Sequence, residues 1–185
     1  MIRSAARVLL VLLCGQTLWA AADVSAAWLD VPFVKQTKDG CGAASIAMVL
    51  EYWRREQHLP ESDTADPARI EQALYSGRRH AIYASDLEHY FERQGFRTFA
   101  FHGDWADLKQ HLLKGRPLIV ALKPISASPS LHYEVVVGMA DGEQTVLLND
   151  PAQRKLLRQS RSSFERQWSV TGKWTVLALP PPDAR

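Results

Sequence analysis

Along the chain, apolar and polar positions change their period about halfway, and that change predicts the architecture. Behind the polar, glycine-bearing stretch QTKDGCG, apolar residues stand at Ile46, Val49, Leu50 and Trp53. That i, i+3, i+4, i+7 spacing predicts a largely buried helix with Cys41 at its N-terminus. Upstream, LDVPFVKQ predicts a short extended segment in which Pro32 favours an edge or loop. The polar stretch from Glu56 to Ala68 lacks apolar periodicity and contains Pro60 and Pro67, so it predicts a loop. Pro67 then opens a helix through ARIEQALYS, ended near Gly77. In SDLEHYFERQGF, Ser85 followed by Glu88 has capping-box spacing and Gly95 marks the stop; in DWADLKQHLLKG, Asp104 is the cap and Gly115 the stop. The first half of the chain therefore reads as helical.

The second half reads as sheet. RPLIVALKP is an apolar, β-branched run, and HYEVVVGMADGEQTVLLNDP predicts two strands around an Asp141–Gly142 turn. A charged turn follows Pro151, then a short helix around SSFERQW with Phe164 and Trp168 four apart, and a last strand KWTVLAL before the proline-rich residues 180–185. Helices first and strands second predict an α+β fold, a helical lobe packed on an antiparallel sheet. There is no internal repeat.

Composition and charge change the picture at the N-terminus. At 185 residues, 46% hydrophobic and 23% charged, the chain has the length and make-up of one globular domain. Arg3 and Arg7 without an acid, the apolar run VLLVLLCGQTLWA, and Ala20 to Ala22 read as a secretory signal peptide over residues 1–22. The run is short and interrupted for a membrane span, and an uncleaved anchor is the alternative. The expected organisation is thus a cleaved signal at 1–22, a single domain over 23–179 and a tail at 180–185, exported to the periplasm or medium. Cleavage leaves 20 basic against 20 acidic side chains, because the 22 basic residues lose Arg3 and Arg7 and the 20 acids lose none. The formal pI of about 8.6 then argues for no nucleic-acid or anionic-membrane partner.

Cleavage also removes Cys14 and leaves Cys41 as the only thiol of the mature chain. In an oxidising compartment an unpaired cysteine is buried and inert, bonded to another chain, or kept for its reactivity. Two other points bear chemistry, His132 at the head of the first hairpin strand and Asp150 at the end of the second. In a two-residue hairpin centred on Asp141 and Gly142, His132 falls opposite position 151, so His132 and Asp150 emerge at one end of the ribbon. A nucleophilic thiol needs these parts: a helix N-terminus and an imidazole that favour thiolate, a polar residue that orients the imidazole, and donors for the developing oxyanion. The Cys41 backbone N–H and the Gln36 amide are candidate donors, and Asn149 competes with Asp150 as orienter. His58, His80, His89, His102 and His111 have no metal-ligand spacing, and neither metal nor cofactor is expected.

Taken in chain order, Gln36, Cys41-Gly42 with the apolar helix behind, His132-Tyr133 and Asn149-Asp150-Pro151 resemble the papain-like cysteine peptidases. Within them the chain is similar to the bacteriocin-processing double-glycine peptidases, cysteine peptidase family 39, in a free-standing exported form, over roughly residues 29–179. The resemblance implies a papain-like two-lobed fold with Cys41 as nucleophile, His132 as general acid/base, Asp150 as its orienter and Gln36 as oxyanion donor. It implies a peptide or protein substrate. Acyl transfer by the same triad, or peptide binding without catalysis, are the alternative functions. Relatives fused to transporters carry an ATPase; this sequence has no phosphate-binding loop, and ATP is not expected.

Overall fold

In a computed structural model, residues 27–60, 62–123 and 131–182 are described. The signal-peptide expectation for residues 1–22 lies outside them. Among the described residues, seven strands form one antiparallel sheet and five helices cover it. The strands are β1 (Ala27–Trp28), β2 (Arg97–His102), β3 (Leu118–Leu122), β4 (His132–Ala140), β5 (Thr145–Asn149), β6 (Leu157–Ser160) and β7 (Trp174–Leu179). The helices are α1 (Cys41–Glu56), α2 (Pro67–Leu74), α3 (Ala84–Arg93), α4 (Trp105–Leu113) and α5 (Arg161–Ser169), with a 3-10 turn at Asp63–Ala65. The strand order is β2-β7-β3-β4-β5-β6, and β1 pairs with the far end of β4.

The α+β expectation holds, and the sheet has helices on both faces. Ile119, Ala121, Val135, Val137, Leu147, Val176 and Ala178 pack in one core with α1, α2 and α3. Leu118, Val120, Leu122, Val136, Val146, Leu148 and Leu177 pack in a second core with Trp105 and Leu108 of α4 and Phe164 and Trp168 of α5. Double coverage is why LIVAL and VVV are unbroken apolar runs: strands buried on both sides have no polar face to alternate with.

Helix ends follow the local chemistry in most cases. Asp104 caps α4 in a reciprocal capping box with Asp107. Gly95 and Gly115 take the left-handed conformation and close α3 and α4, with Phe96 N–H bonded to Phe91 C=O and Arg116 N–H to His111 C=O. The expected Ser85 cap does not form: α3 starts at Ala84, with Tyr83 at the N-cap and no side-chain cap. Helix α2 stops at Leu74, short of Gly77.

Three expectations about strands are corrected. The first half is not purely helical, since β2 crosses it, and the charged stretch after Pro151 includes β6. The hairpin turn centres one residue later than expected, with Gln144 N–H bonded to Asp141 C=O and Ala140 paired with Thr145. A bulge between Val136 and Gly138 then takes back one position, so Val135 pairs with Asn149. The later turn shifts each partner by two positions and the bulge recovers one of them, so a net offset of one position remains and the two ends of the ribbon still meet.

Candidate active site

Helix α1 presents Cys41 as its first residue, 6% exposed and unpaired. Two glycines make that placement possible. A Cβ on Gly42 would stand 3.1 Å from Ile82 Cβ and 3.4 Å from Tyr133 Cδ2, and one on Gly40 would stand 2.6 Å from Thr37 Oγ1. Ser45 Oγ donates to Tyr133 C=O at 3.3 Å, which fixes the start of α1 against β4 beside His132. At the other end of α1, Trp53 Nε1 donates to Ala178 C=O of β7 at 3.0 Å. Gly40, at the N-cap, has no side chain to occupy the opening amides of the helix.

His132 opens β4 and Asp150 follows β5, and their side chains meet: Nε2 donates to Asp150 Oδ1 at 2.8 Å. The same imidazole is electrostatically coupled to the Cys41 side chain. Burial would push His132 down, but the bond to Asp150 and the interactions with Cys41 and Glu134 outweigh it and lift the ring from 6.5 to about 10. The ring is therefore an imidazolium at neutral pH. Burial would likewise raise Asp150, and the imidazolium, with help from Ala152 N–H and Gln153, holds its carboxyl below the usual range instead. Asp150 Oδ1 also accepts from Ala152 N–H at 2.8 Å, and Oδ2 accepts from Gln153 Nε2.

The Asn149-Asp150-Pro151 triplet organises both sides of the site. Asn149 Nδ2 donates to Val31 C=O and its Oδ1 accepts from Leu156 N–H, both at 3.1 Å. Both ends of that amide are thus committed to backbone, and Asp150, not Asn149, faces His132. Pro151 C=O accepts from Gln36 N–H at 3.0 Å, which brings the Gln36 segment to the dyad. The Gln36 Oε1 is buried with no hydrogen-bond partner. Sequence reading missed Glu134, a buried acid whose nearest ligand atom lies, like those of His132 and Asp150, within a 4.8 Å cluster. Its signal was a single acid inside the apolar run HYEVVVG.

The arrangement is a thiol at a helix start, an imidazole that its side chain acts on and a buried carboxylate bonded to that ring. The family model described as Peptidase_C39 like family matches residues 28–176. The chain belongs to the Peptidase_C39 like family. Solved structures of the same fold include a putative C39-like peptidase from Bacillus anthracis, at 14% identity and TM-score 0.65, covering 85% of this chain and 99% of that one. The peptidase domain of Streptococcus ComA aligns at 22% identity and TM-score 0.62, covering 82% and 99%. A double glycine motif protease from an AMS/PCAT transporter, in complex with its leader peptide, aligns at 20% and TM-score 0.60, covering 84% and 95%. No curated protein sequence matches the chain. Family and fold are those of cysteine peptidases, and in this C39-like chain no described helix is long and apolar enough to cross a membrane.

Proposed function

We propose that this chain is an exported cysteine peptidase that hydrolyses peptide bonds with Cys41, His132, Asp150 and Gln36. The observation that carries the reading is one imidazole bonded at 2.8 Å to a buried carboxylate and coupled to the Cys41 side chain at the start of α1. In the proposed reaction Cys41 Sγ attacks the substrate carbonyl carbon. The resulting oxyanion is held by the Cys41 N–H and by Gln36 Nε2. The His132 imidazolium gives its proton to the leaving amine, and a thioester remains on Cys41. Water then attacks the thioester carbon while neutral His132 takes its proton, and collapse of the intermediate releases the acid and restores the Cys41 sulfur as thiolate beside the His132 imidazolium. Asp150 keeps Nε2 occupied so that Nδ1 serves the sulfur.

A peptide substrate is supported by the neighbouring peptidase that was crystallised with its leader peptide. Export is supported by the signal-like pattern of residues 1–22 and by the lone thiol of the mature chain. The test is hydrolysis of a peptide library by the mature chain and by Cys41→Ala, with products weighed in the presence and absence of an amine acceptor. Cleavage lost in Cys41→Ala supports the reading. Cleavage that persists rejects the mechanism, and products joined to the amine rather than to water replace hydrolysis with acyl transfer.

A further inference from the structure

One buried carboxyl has no part in the reaction above. Glu134 stands two residues from His132 on β4, so strand alternation sets both on one face of the sheet. Glu134 is 5% exposed, and its Oε2 is buried with no hydrogen-bond partner. One ligand atom each from His132, Glu134 and Asp150 fall within 4.8 Å of one another. Such a trio is also a donor set for a divalent cation. Here the donors are spent: His132 Nε2 and Asp150 Oδ1 bond each other, and Asp150 also holds Ala152 N–H and Gln153 Nε2. A cation would have to dismantle the dyad.

What remains is a carboxyl beside a carboxylate. Burial and the charge of Asp150 push Glu134 up to about 8, against the pull of His132. Those two are the charged groups that bear on it, Asp150 from the β5 side and His132 from its own strand. On the β3 side its register partner is Val120, and beyond that, on β7, Thr175; neither titrates. Glu134 in turn favours the charged form of His132.

We propose that Glu134 is a positioning residue for His132: a buried, unpartnered carboxyl clustered within 4.8 Å of the dyad atoms that, once charged, holds the proton on the imidazole. At neutral pH a single carboxylate faces the ring, and His132 can release its proton to a leaving group. At higher pH the second charge extends the imidazolium form upward and delays the alkaline loss of the site. The kinetic consequence rests on the peptidase reading; the titration needs no substrate.

The test is an NMR titration of the His132 ring from neutral to alkaline pH in the wild type, Glu134→Gln and Glu134→Val, the signal assigned by its loss in His132→Gln. The wild-type ring should show a minor inflection near pH 8, from Glu134, below its own transition near 10. In Glu134→Gln the minor inflection should vanish and the main transition should fall by about one pH unit, as expected for removal of one charge at this range. Glu134→Val should do the same, and the alkaline limb of kcat/KM should move down in step. An inflection that survives in Glu134→Gln, or a main transition unmoved in both variants, overturns the proposal. A purely structural role would lower the melting temperature and leave the titration in place, which also overturns it. Should the titration behave as stated while no peptide is cleaved, the Glu134 role stands and the peptidase reading falls.

Discussion

Replacing Asp150 by asparagine tests the centre of the proposed mechanism with almost no change of shape. The carboxylate now accepts from His132 Nε2 and Ala152 N–H on Oδ1, and from Gln153 Nε2 on Oδ2. An asparagine amide has one acceptor end. Pointed at His132, it sets its NH2 against the NH2 of Gln153; reversed, it offers a donor to a ring that is itself a donor. Either way the buried negative charge is gone. Burial, which already pushes His132 down, then acts without its main counterweight, and the ring should drop from about 10 by several units. The imidazolium would be scarce at neutral pH. The expected loss in kcat/KM is on the order of 10²- to 10⁴-fold, or roughly 3–5 kcal/mol of transition-state stabilisation. Iodoacetamide alkylation of Cys41 at about pH 6 reports the same event without substrate. Loss of the imidazolium partner should slow that alkylation by about tenfold or more. Both rates staying within about threefold of wild type would refute the claim that Asp150 holds His132 charged and in place, since such a change is worth under ~1 kcal/mol.

Two further outcomes follow from the same geometry. Asn149→Ala strands the Val31 carbonyl and the Leu156 N–H, the latter on a residue held at φ 54, and should cost about 3 kcal/mol, or ~10 °C in melting temperature. Urea unfolding checks it, and a loss under ~1 kcal/mol would show that the amide is not the pin described above. Stability should also fall as pH rises from about 4.5 through about 10. Glu134, raised from 4.5 to about 8, and His132, raised from 6.5 to about 10, each stabilise fully below their unfolded values and lose that contribution as pH climbs through the folded ones. Asp150, whose value is lowered, acts at the other end and loses its contribution as pH falls below 3.8. Melting temperatures across pH check the sign, and a rise between pH 5 and 9 would contradict the assignments, because both raised groups titrate within that window.

How legible each element was depends on how much of it is buried. Helix α1 and strands β3, β4, β5 and β7 could be read because they are central and strongly apolar. Of the three strands that escaped, β1 is a two-residue pairing on β4 just ahead of the extended stretch LDVPFVKQ, and β2 and β6 are the edges of the sheet. Their burial alternates or is partial, Phe99 of β2 is 47% exposed, and β6 reads Leu-Arg-Gln-Ser, so neither offers an apolar run to detect. The Ser85–Glu88 spacing was present without its cap, because the chain reaches helical geometry one residue early, at Ala84. The unbroken run at Val135 to Val137 carries the signal that helices lie on both faces.

By itself the sequence determined the α+β class, the thiol at the head of a buried helix, and the meeting of His132 with the end of the next strand. All three rest on short-range rules: helical period, glycine geometry and hairpin pairing. Only the tertiary structure decided that Asn149 turns to backbone while Asp150 faces the ring, since neighbouring side chains on an extended backbone point to opposite sides and register alone chooses between them. It also decided that Gln36 lies on Pro151 and that Glu134 is buried beneath the dyad. Those contacts join segments about a hundred residues apart or set a buried charge among its neighbours, and no local pattern encodes either.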